Sequence, residues 1–181
     1  RVNDGTFGLL VSLSLLDLSH NVLMRLEDNV LVGMNISHLD LGYNSLRRMP
    51  DLPLRKLTAA RTLVLDGNLF SVLETGSLHQ VRVEFLSISR NLHLERLERD
   101  AIASMPSLET LTLNNNPRLT YIHPGAIRDA PDLAALDLSQ NGLFALEEDL
   151  PKLLPGLRAL YLGGNSFKCH CSLGWISDLA T

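Results

Sequence analysis

Few residues in this chain have the type and spacing for chemistry. The densest group is Cys169-His170-Cys171, three possible metal ligands in one stretch. A structural zinc site takes about four ligands. There is no further cysteine, and the other histidines are scattered, so no metal is assigned. Asp17 and Asp40 stand at matching places in successive repeats of the sequence and offer carboxylates to a basic partner or a calcium ion. Calcium takes about six to eight oxygens, so two carboxylates are too few for a metal assignment. The chain holds no G-x-S-x-G elbow, no H-E-x-x-H and no G-x-x-x-x-G-K phosphate cradle. No catalytic residue and no cofactor are assigned. One modification signal is present: Asn35-Ile36-Ser37 is an acceptor for N-glycosylation if the protein is secreted.

The elements that position these residues come from a phrase written seven times, L-x-x-L-x-L-x-x-N-x-L. It is clearest at Leu13-Ser-Leu-Leu16-Asp-Leu18-Ser-His-Asn21-Val-Leu23 and returns at Leu133 to Leu143. Its asparagines are Asn21, Asn44, Asn68, Asn91, Asn116, Asn141 and Asn165, at a nearly constant interval. That phrase, recurring within a period of roughly 20–29 residues, defines a leucine-rich repeat solenoid. The Leu-x-Leu core alternates with period 2 and predicts a short strand with one apolar side. A lone strand cannot bury that side, whereas stacking repeats buries it in a shared core. The fold class is therefore α/β: a curved horseshoe with a parallel β-sheet on the concave face and few or short helices. Each asparagine is expected inside the turn, where an amide that both donates and accepts satisfies backbone groups of its own repeat and the next.

After each asparagine the chain must return. Leu26, Met49, Leu73, Leu97, Ile122 and Leu146 begin that return facing the core, and Phe7, Ile102 and Ile127 supply a second inward position. Pro50 and Pro53 favour an extended return in the second repeat, and single helical turns are expected at 100–103 and 125–129. Asn91-Leu-His-Leu94 and Asn116-Pro-Arg-Leu119 carry one extra turn residue each, which predicts a bulge. Ala60 and Val83 replace the usual first leucine; the small Ala60 is expected to loosen or bend the stack, against a plainer reading as repeat drift.

The end of the chain reads Asn165-Ser-Phe167-Lys-Cys169-His-Cys171-Ser-Leu173-Gly-Trp175-Ile176. It resembles the N-P-F-x-C-x-C-x-L-x-W-L phrase of extracellular animal leucine-rich repeat proteins of the Toll-like and neuronal type, with Ser166 and Ile176 as mild departures. The resemblance implies that Cys169 and Cys171 open a cysteine-flanked cap and pair with cysteines further along than Thr181. Bridging one another across an extended strand would be strained. A cap at Leu173, Trp175 and Ile176 would cover the apolar end and open strand edge of the last repeat. Residues 1–168 are thus expected to be an array of about seven repeats, truncated N-terminally inside a repeat, and 169–181 the start of a truncated cap.

A net charge of −4 and a sequence pI near 5.8 argue against general nucleic-acid binding. No apolar run reaches the length of a membrane-spanning helix, about 18 residues or more. Membrane attachment would therefore need a segment outside this chain. The residues between the leucines form outward columns on the sheet. Seven strands spaced about 4.7–4.9 Å apart make a face roughly 30 Å long, which suits a protein ligand. Tyr43, Phe85, Arg90 and Tyr161 are the candidate contacts, because aromatic and arginine side chains supply most interface hot spots, with Asp40 and His38 beside them. Arg47, Arg48, Arg55, Lys56 and Arg61 form a basic stretch that is expected to be a solvated edge, with contact to an acidic partner or a sulfated glycan as the other reading, and Glu147, Glu148 and Asp149 an acidic counterpart. The resemblance implies an extracellular or cell-surface recognition module for adhesion, guidance or innate immune reception. The alternative is an intracellular repeat scaffold that regulates a signalling protein. No oligomeric state is assigned.

Overall fold

The computed structural model describes residues 2–10, 12–58, 60–146 and 150–167. The expected cap residues Cys169, Cys171, Leu173, Trp175 and Ile176, and the acidic Glu147, Glu148 and Asp149, lie outside the described residues. Seven short strands line up in chain order as one parallel sheet: Leu15–Asp17, His38–Asp40, Ala60–Val64, Val83–Ser87, Thr110–Thr112, Ala135–Asp137 and Ala159–Tyr161. The register is one to one, so that Leu16, Leu39, Leu63, Leu86, Leu111, Leu136 and Leu160 form a row across the repeats. Period-2 alternation turns this row inward, and all of it except Leu160 is buried. The core is a continuous apolar column of these leucines, the second leucine row behind them and the return residues. Leu26, Leu73, Leu97 and Leu146 are buried as the repeat phrase requires, and Met49 and Ile122 pack against the core partly buried. Phe7 is partly buried too, while Ile102 and Ile127 are fully enclosed.

The return side departs from expectation in two places. The helical turns expected at 100–103 and 125–129 are absent, and each segment contributes to a strand instead. Leu78–His79, Ile102–Ala103 and Ile127–Arg128 pair in parallel, and Val72–Leu73, Arg96–Leu97 and Tyr121–Ile122 form a second ladder beside them. Three successive repeats present these segments at the same height, and amides that would be orphaned in isolated turns pair across repeats. Conversely, the extended return expected around Pro50 and Pro53 is a helix, Asp51–Arg55. Proline lacks an N–H, but the first turn of a helix has no internal acceptor for that group, so Pro53 costs nothing there. Its presence excludes the second repeat from the ladder and lets Leu54 fill the core. A second short helix, Leu150–Leu153, lies in the sixth return.

Ala60 does not loosen the stack. The strands Ala60–Val64 and Val83–Ser87 are the two longest in the sheet, paired from Ala60–Val83 onward, and the Ala60 N–H donates to the Arg82 carbonyl at 3.0 Å. A small side chain is offset here by extra backbone pairing.

The asparagine column is realised as a ladder. In Asn44 the side-chain N–H donates to the carbonyls of Leu18, Leu41 and Gly42, and Oδ1 accepts from the Leu23 N–H. Asn116 donates to Ile88 and Leu113, and Asn141 to Leu113 and Leu138. Each amide therefore ties a turn to the preceding one. The extra residues after Asn91 and Asn116 close tight turns, with Leu94 and Leu119 donating back to those asparagines at 3.0 and 2.9 Å. They also switch the ladder. Between turns of ordinary length Oδ1 accepts from the second residue past the preceding asparagine: Leu23, Leu46 and Leu143. Where either turn carries the insertion, it accepts from the preceding asparagine's own N–H: Asn68, Asn91 and Asn116, each at 2.8 Å.

Asn116 is fully enclosed whereas Asn21 is exposed. Asn116→Leu orphans the Ile88 carbonyl and the Asn91 N–H, each worth about 1–3 kcal/mol when buried, and leaves the Leu113 carbonyl with Asn141 alone. It is expected to lower unfolding free energy in urea titration by roughly 2 kcal/mol or more, and Asn21→Leu by less than about 1 kcal/mol. Equal losses would show that the buried amide does not hold the turn.

Candidate ligand-binding face

The chain must reverse sharply between the strand and the asparagine. It does so by placing the residue before each asparagine in the left-handed region: His20, Tyr43, Gly67, Arg90, Asn115, Gln140 and Gly164, with φ between 51° and 74°. For a residue with a Cβ this costs on the order of 1 kcal/mol. These seven positions form a column along one edge of the sheet face, and two candidates, Tyr43 and Arg90, belong to it. The sequence shows that column but not its backbone constraint.

The constraint fixes where the side chains go. The His20 and Tyr43 rings stack with centroids 4.6 Å apart and planes 6° from parallel. Tyr43 lies in turn over Gly67, where an added Cβ would come within 2.6 Å of the ring. Glycine is needed at 67 because an aromatic ring from the neighbouring repeat occupies the space. Tyr43 stays 41% exposed, a flat ring held on both sides with one edge open to a partner.

The outward aspartates have a local task. Asp17, Asp40 and Asp137 each accept a nearby backbone N–H, from Ser19, Gly42 and Ser139, at 2.8, 2.7 and 2.9 Å. Such turns are a known preference of aspartate. Asp40 therefore has one oxygen committed to its turn and the other left to a partner. The suggestion of a calcium ion at Asp17 and Asp40 is not supported: among the described residues no group of three or more histidine, cysteine, aspartate or glutamate side chains is gathered to hold a metal. The Ser19 hydroxyl, then the Ser19 N–H, hold the Asp17 carboxyl below the usual carboxylate range, with His38 and His20 adding to the effect.

The other candidates divide by position. His38 is half-buried beside Leu15, which is 56% exposed and carries no signal in the sequence that sets it apart. Phe85 is half-buried, not freely exposed. The Arg61 guanidinium sits 5.9 Å from its ring centre and is itself held by Glu84 at 3.0 Å. Arg61 thus belongs to this face and is separated from the rest of the basic stretch. Arg90 reaches Asp66 at 3.9 Å, while Asp66 is engaged by the Ser87 hydroxyl and the Ser89 N–H. Tyr161 is 56% exposed on the seventh strand beside Asp137. His38, Asp40 and Tyr43 share the second repeat, Phe85 and Arg90 the fourth. Those two groups lie two strand spacings apart, about 10 Å, and Tyr161 three spacings further. All six share one face; they do not form one cluster.

Asn35 is exposed ahead of the second strand, flanked by the buried Ile36 and by Ser37, whose hydroxyl donates to the Ser14 carbonyl at 2.8 Å.

A parallel-strand solenoid with asparagine ladders and an open, patterned strand face is a repeat-built recognition scaffold. The leucine rich repeat family model matches residues 53–117, 81–143 and 107–167, and the chain belongs to that family. Human vasorin is 36% identical over 163 residues, covering 90% of this chain and 20% of vasorin. Rat tsukushi is 31% identical over 155 residues, covering 81% of this chain and 42% of tsukushi. The chain therefore spans about a fifth to two fifths of the length of these relatives. Among solved structures, the Drosophila Toll–Spatzle complex aligns with a TM-score of 0.50 at 20% identity, over 86% of this chain and 27% of the matched chain, which shows the same fold. The relatives are secreted or cell-surface proteins, and this chain is of the same extracellular class.

Two outcomes follow. Gly67→Ala displaces the Tyr43 ring and is expected to lower stability by about 1–2 kcal/mol in thermal unfolding. Gly163→Ala, with nothing within 4 Å of its added carbon, is the near-neutral comparison. A neutral Gly67→Ala would mean that the stack is not held in place. For Asp17, a depressed folded pKa means that the turn's stabilisation is present above the unfolded value and lost as pH falls through the folded one. Ser19→Ala should move the Asp17 titration upward, read by carboxyl NMR; an unmoved titration would rule out the hydroxyl as the cause.

Proposed function

We propose that the chain is a non-catalytic recognition module of an extracellular or cell-surface protein, and that it takes a protein ligand on its seven-stranded face. The observation that carries this reading is the fixed His20–Tyr43 stack over Gly67, beside the open Asp40 carboxylate. Rings ordered before binding lose little freedom on contact, which favours affinity. The face is an open strip, and an extended strip of rigid anchors fits a macromolecule better than a metabolite. The solved Toll structure is a complex of Toll with Spatzle, so this fold serves a protein partner there. Within the face, Tyr43, His38 and Asp40 form one contact region, Phe85 with Arg61 and Arg90 a second, and Tyr161 an outlying third. A glycan on Asn35 would project near the entry of the second strand and border the first region. Cys169 and Cys171 would close the array as the resemblance implies.

The test is a binding screen of the intact chain against cell-surface and secreted ectodomains. It is followed by Tyr43→Ala, Phe85→Ala and Arg90→Ala together on any partner found. Each anchor of this kind is worth about 1–3 kcal/mol, so the triple variant should weaken binding by a hundredfold or more. Unchanged affinity with an unchanged circular dichroism spectrum would remove these residues from the interface.

A further inference from the structure

The return side of the second and third repeats carries a feature that the strand face does not explain. The Asp51–Arg55 helix replaces the ladder strand that the third to fifth repeats use. A cavity of about 690 Å³ opens between that helix and the return segment 71–77 of the next repeat. Arg47, Arg48, Arg55 and His93 line it, against the carboxylates Asp51 and Glu74. Arg55 is held in place: its Nη2 donates to the Gly76 carbonyl at 3.0 Å and lies 3.3 Å from Asp51. Arg47 and Arg48 are exposed and have no ion pair or side-chain hydrogen bond among the described residues.

Two further cavities adjoin it. One of about 320 Å³ shares Arg47, Arg48 and Asp51 and adds Arg25; one of about 780 Å³ shares Arg55 and adds Lys56 and Arg82. Together they present six cations and four carboxylates, Asp28, Asp51, Glu74 and Asp129, a cationic excess on a chain whose net charge is −4. Asp51 pairs with Arg55, Arg25 with Glu27 at 3.4 Å and Asp129 with Arg128 at 2.6 Å, which leaves Arg47, Arg48, Lys56 and Arg82 as the cations without an ion pair among the described residues. Between the cations stand small hydroxyl and amide side chains: Ser71, Thr75, Ser77, Thr58, Gln80 and Ser104.

We propose that this flank is a second binding site, separate from the strand face, for a linear sulfated glycan chain, with Arg47 and Arg48 at its centre and Arg55 as the pre-positioned contact. Three adjoining cavities suit a chain ligand, where a single cavity would suit a lone anion. Guanidinium forks donate two parallel hydrogen bonds to an oxyanion, and the hydroxyl-bearing walls match sugar hydroxyls. The strand face carries Asp17, Asp40, Asp66, Glu84 and Asp137 against Arg61 and Arg90, so it disfavours a polyanion relative to the flank.

The intact chain is passed over immobilised heparin, with hyaluronan, which carries carboxylates but no sulfate, as the comparison. Heparin binding weakened by added salt, with little binding to hyaluronan, is expected. Arg47→Gln with Arg48→Gln removes two exposed, unpaired cations. It should weaken heparin binding about fivefold to tenfold, the scale of two exposed charge contacts, with unchanged thermal unfolding. Arg118→Gln with Arg158→Gln removes the same charge from residues outside all three cavities and should leave binding within about twofold. The proposal is overturned if the wild-type chain does not bind heparin, or if hyaluronan binds equally well. It is also overturned if the two double variants lose affinity alike, which would indicate general charge attraction.

Discussion

The structure depends on one requirement: the backbone groups in the turn after each strand must be paired although the turn is enclosed. A solenoid cannot solve this with water, because the next repeat covers the turn. It solves it with one amide per repeat that reaches carbonyls in its own turn and the turn before, as Asn116 does with Leu113 and Ile88. That bond is why the period is nearly constant. A repeat may vary in its return, where Asp51–Arg55 is helical and Arg96–Leu97 is a strand, but each asparagine must arrive opposite the previous turn. The inserted residues after Asn91 and Asn116 show how far the rule bends. The donor to Oδ1 changes, and the ladder continues unbroken.

The same turn shapes the edge of the strand face. Reversing the chain in so few residues puts the position before each asparagine at positive φ on the edge of the sheet, from which Tyr43 reaches Gly67 of the next repeat and Arg90 reaches Asp66 of the one before. Tyr43 is consequently laid across Gly67 and stacked by His20, not left to wave in solvent. Backbone strain of on the order of 1 kcal/mol per position is tolerated because the ladder overdetermines the turn. Turn closure and the presentation of the outward side chains are thus two results of one local geometry. They cannot be altered independently at this column.

How much was legible follows from the same physics. The strands, the inward leucines and the asparagine ladder could be read from the sequence, since each depends on residue type at a fixed spacing. The return side could not, because its ladders depend on neighbouring segments coinciding in height, which no single repeat records. Residues 102–103 and 127–128 look like loose turns until Leu78–His79 stands beside them. Pro53 misleads for a related reason: proline excludes the interior of a helix but not its first turn. Of the candidate contacts, Tyr43 and Tyr161 are open as expected. Phe85 is half covered because Arg61, one strand earlier, is held over it by Glu84. A linear reading puts Arg61 in a basic run with Arg55 and Lys56, yet its guanidinium lies over Phe85 and against Glu84, whereas Arg55 is held by Asp51 and the Gly76 carbonyl on the return.

That separation shows how a repeat array divides its labour. Residues a few positions apart in sequence face different surroundings, since the coil turns a full circle within each repeat. Arg61 and Arg90 stand by the strand face among aspartates, whereas Arg47 and Arg48 stand on the flank with no partner of opposite charge among the described residues. The two surfaces have opposite electrostatic character although they come from the same repeats. A ligand on one need not displace a ligand on the other, because the apolar core lies between them and is closely packed. Charge on such a chain is therefore best counted by face. The net value of −4 conceals an acidic strand face and a flank with a cationic excess, so the two proposed sites would meet partners of different chemistry.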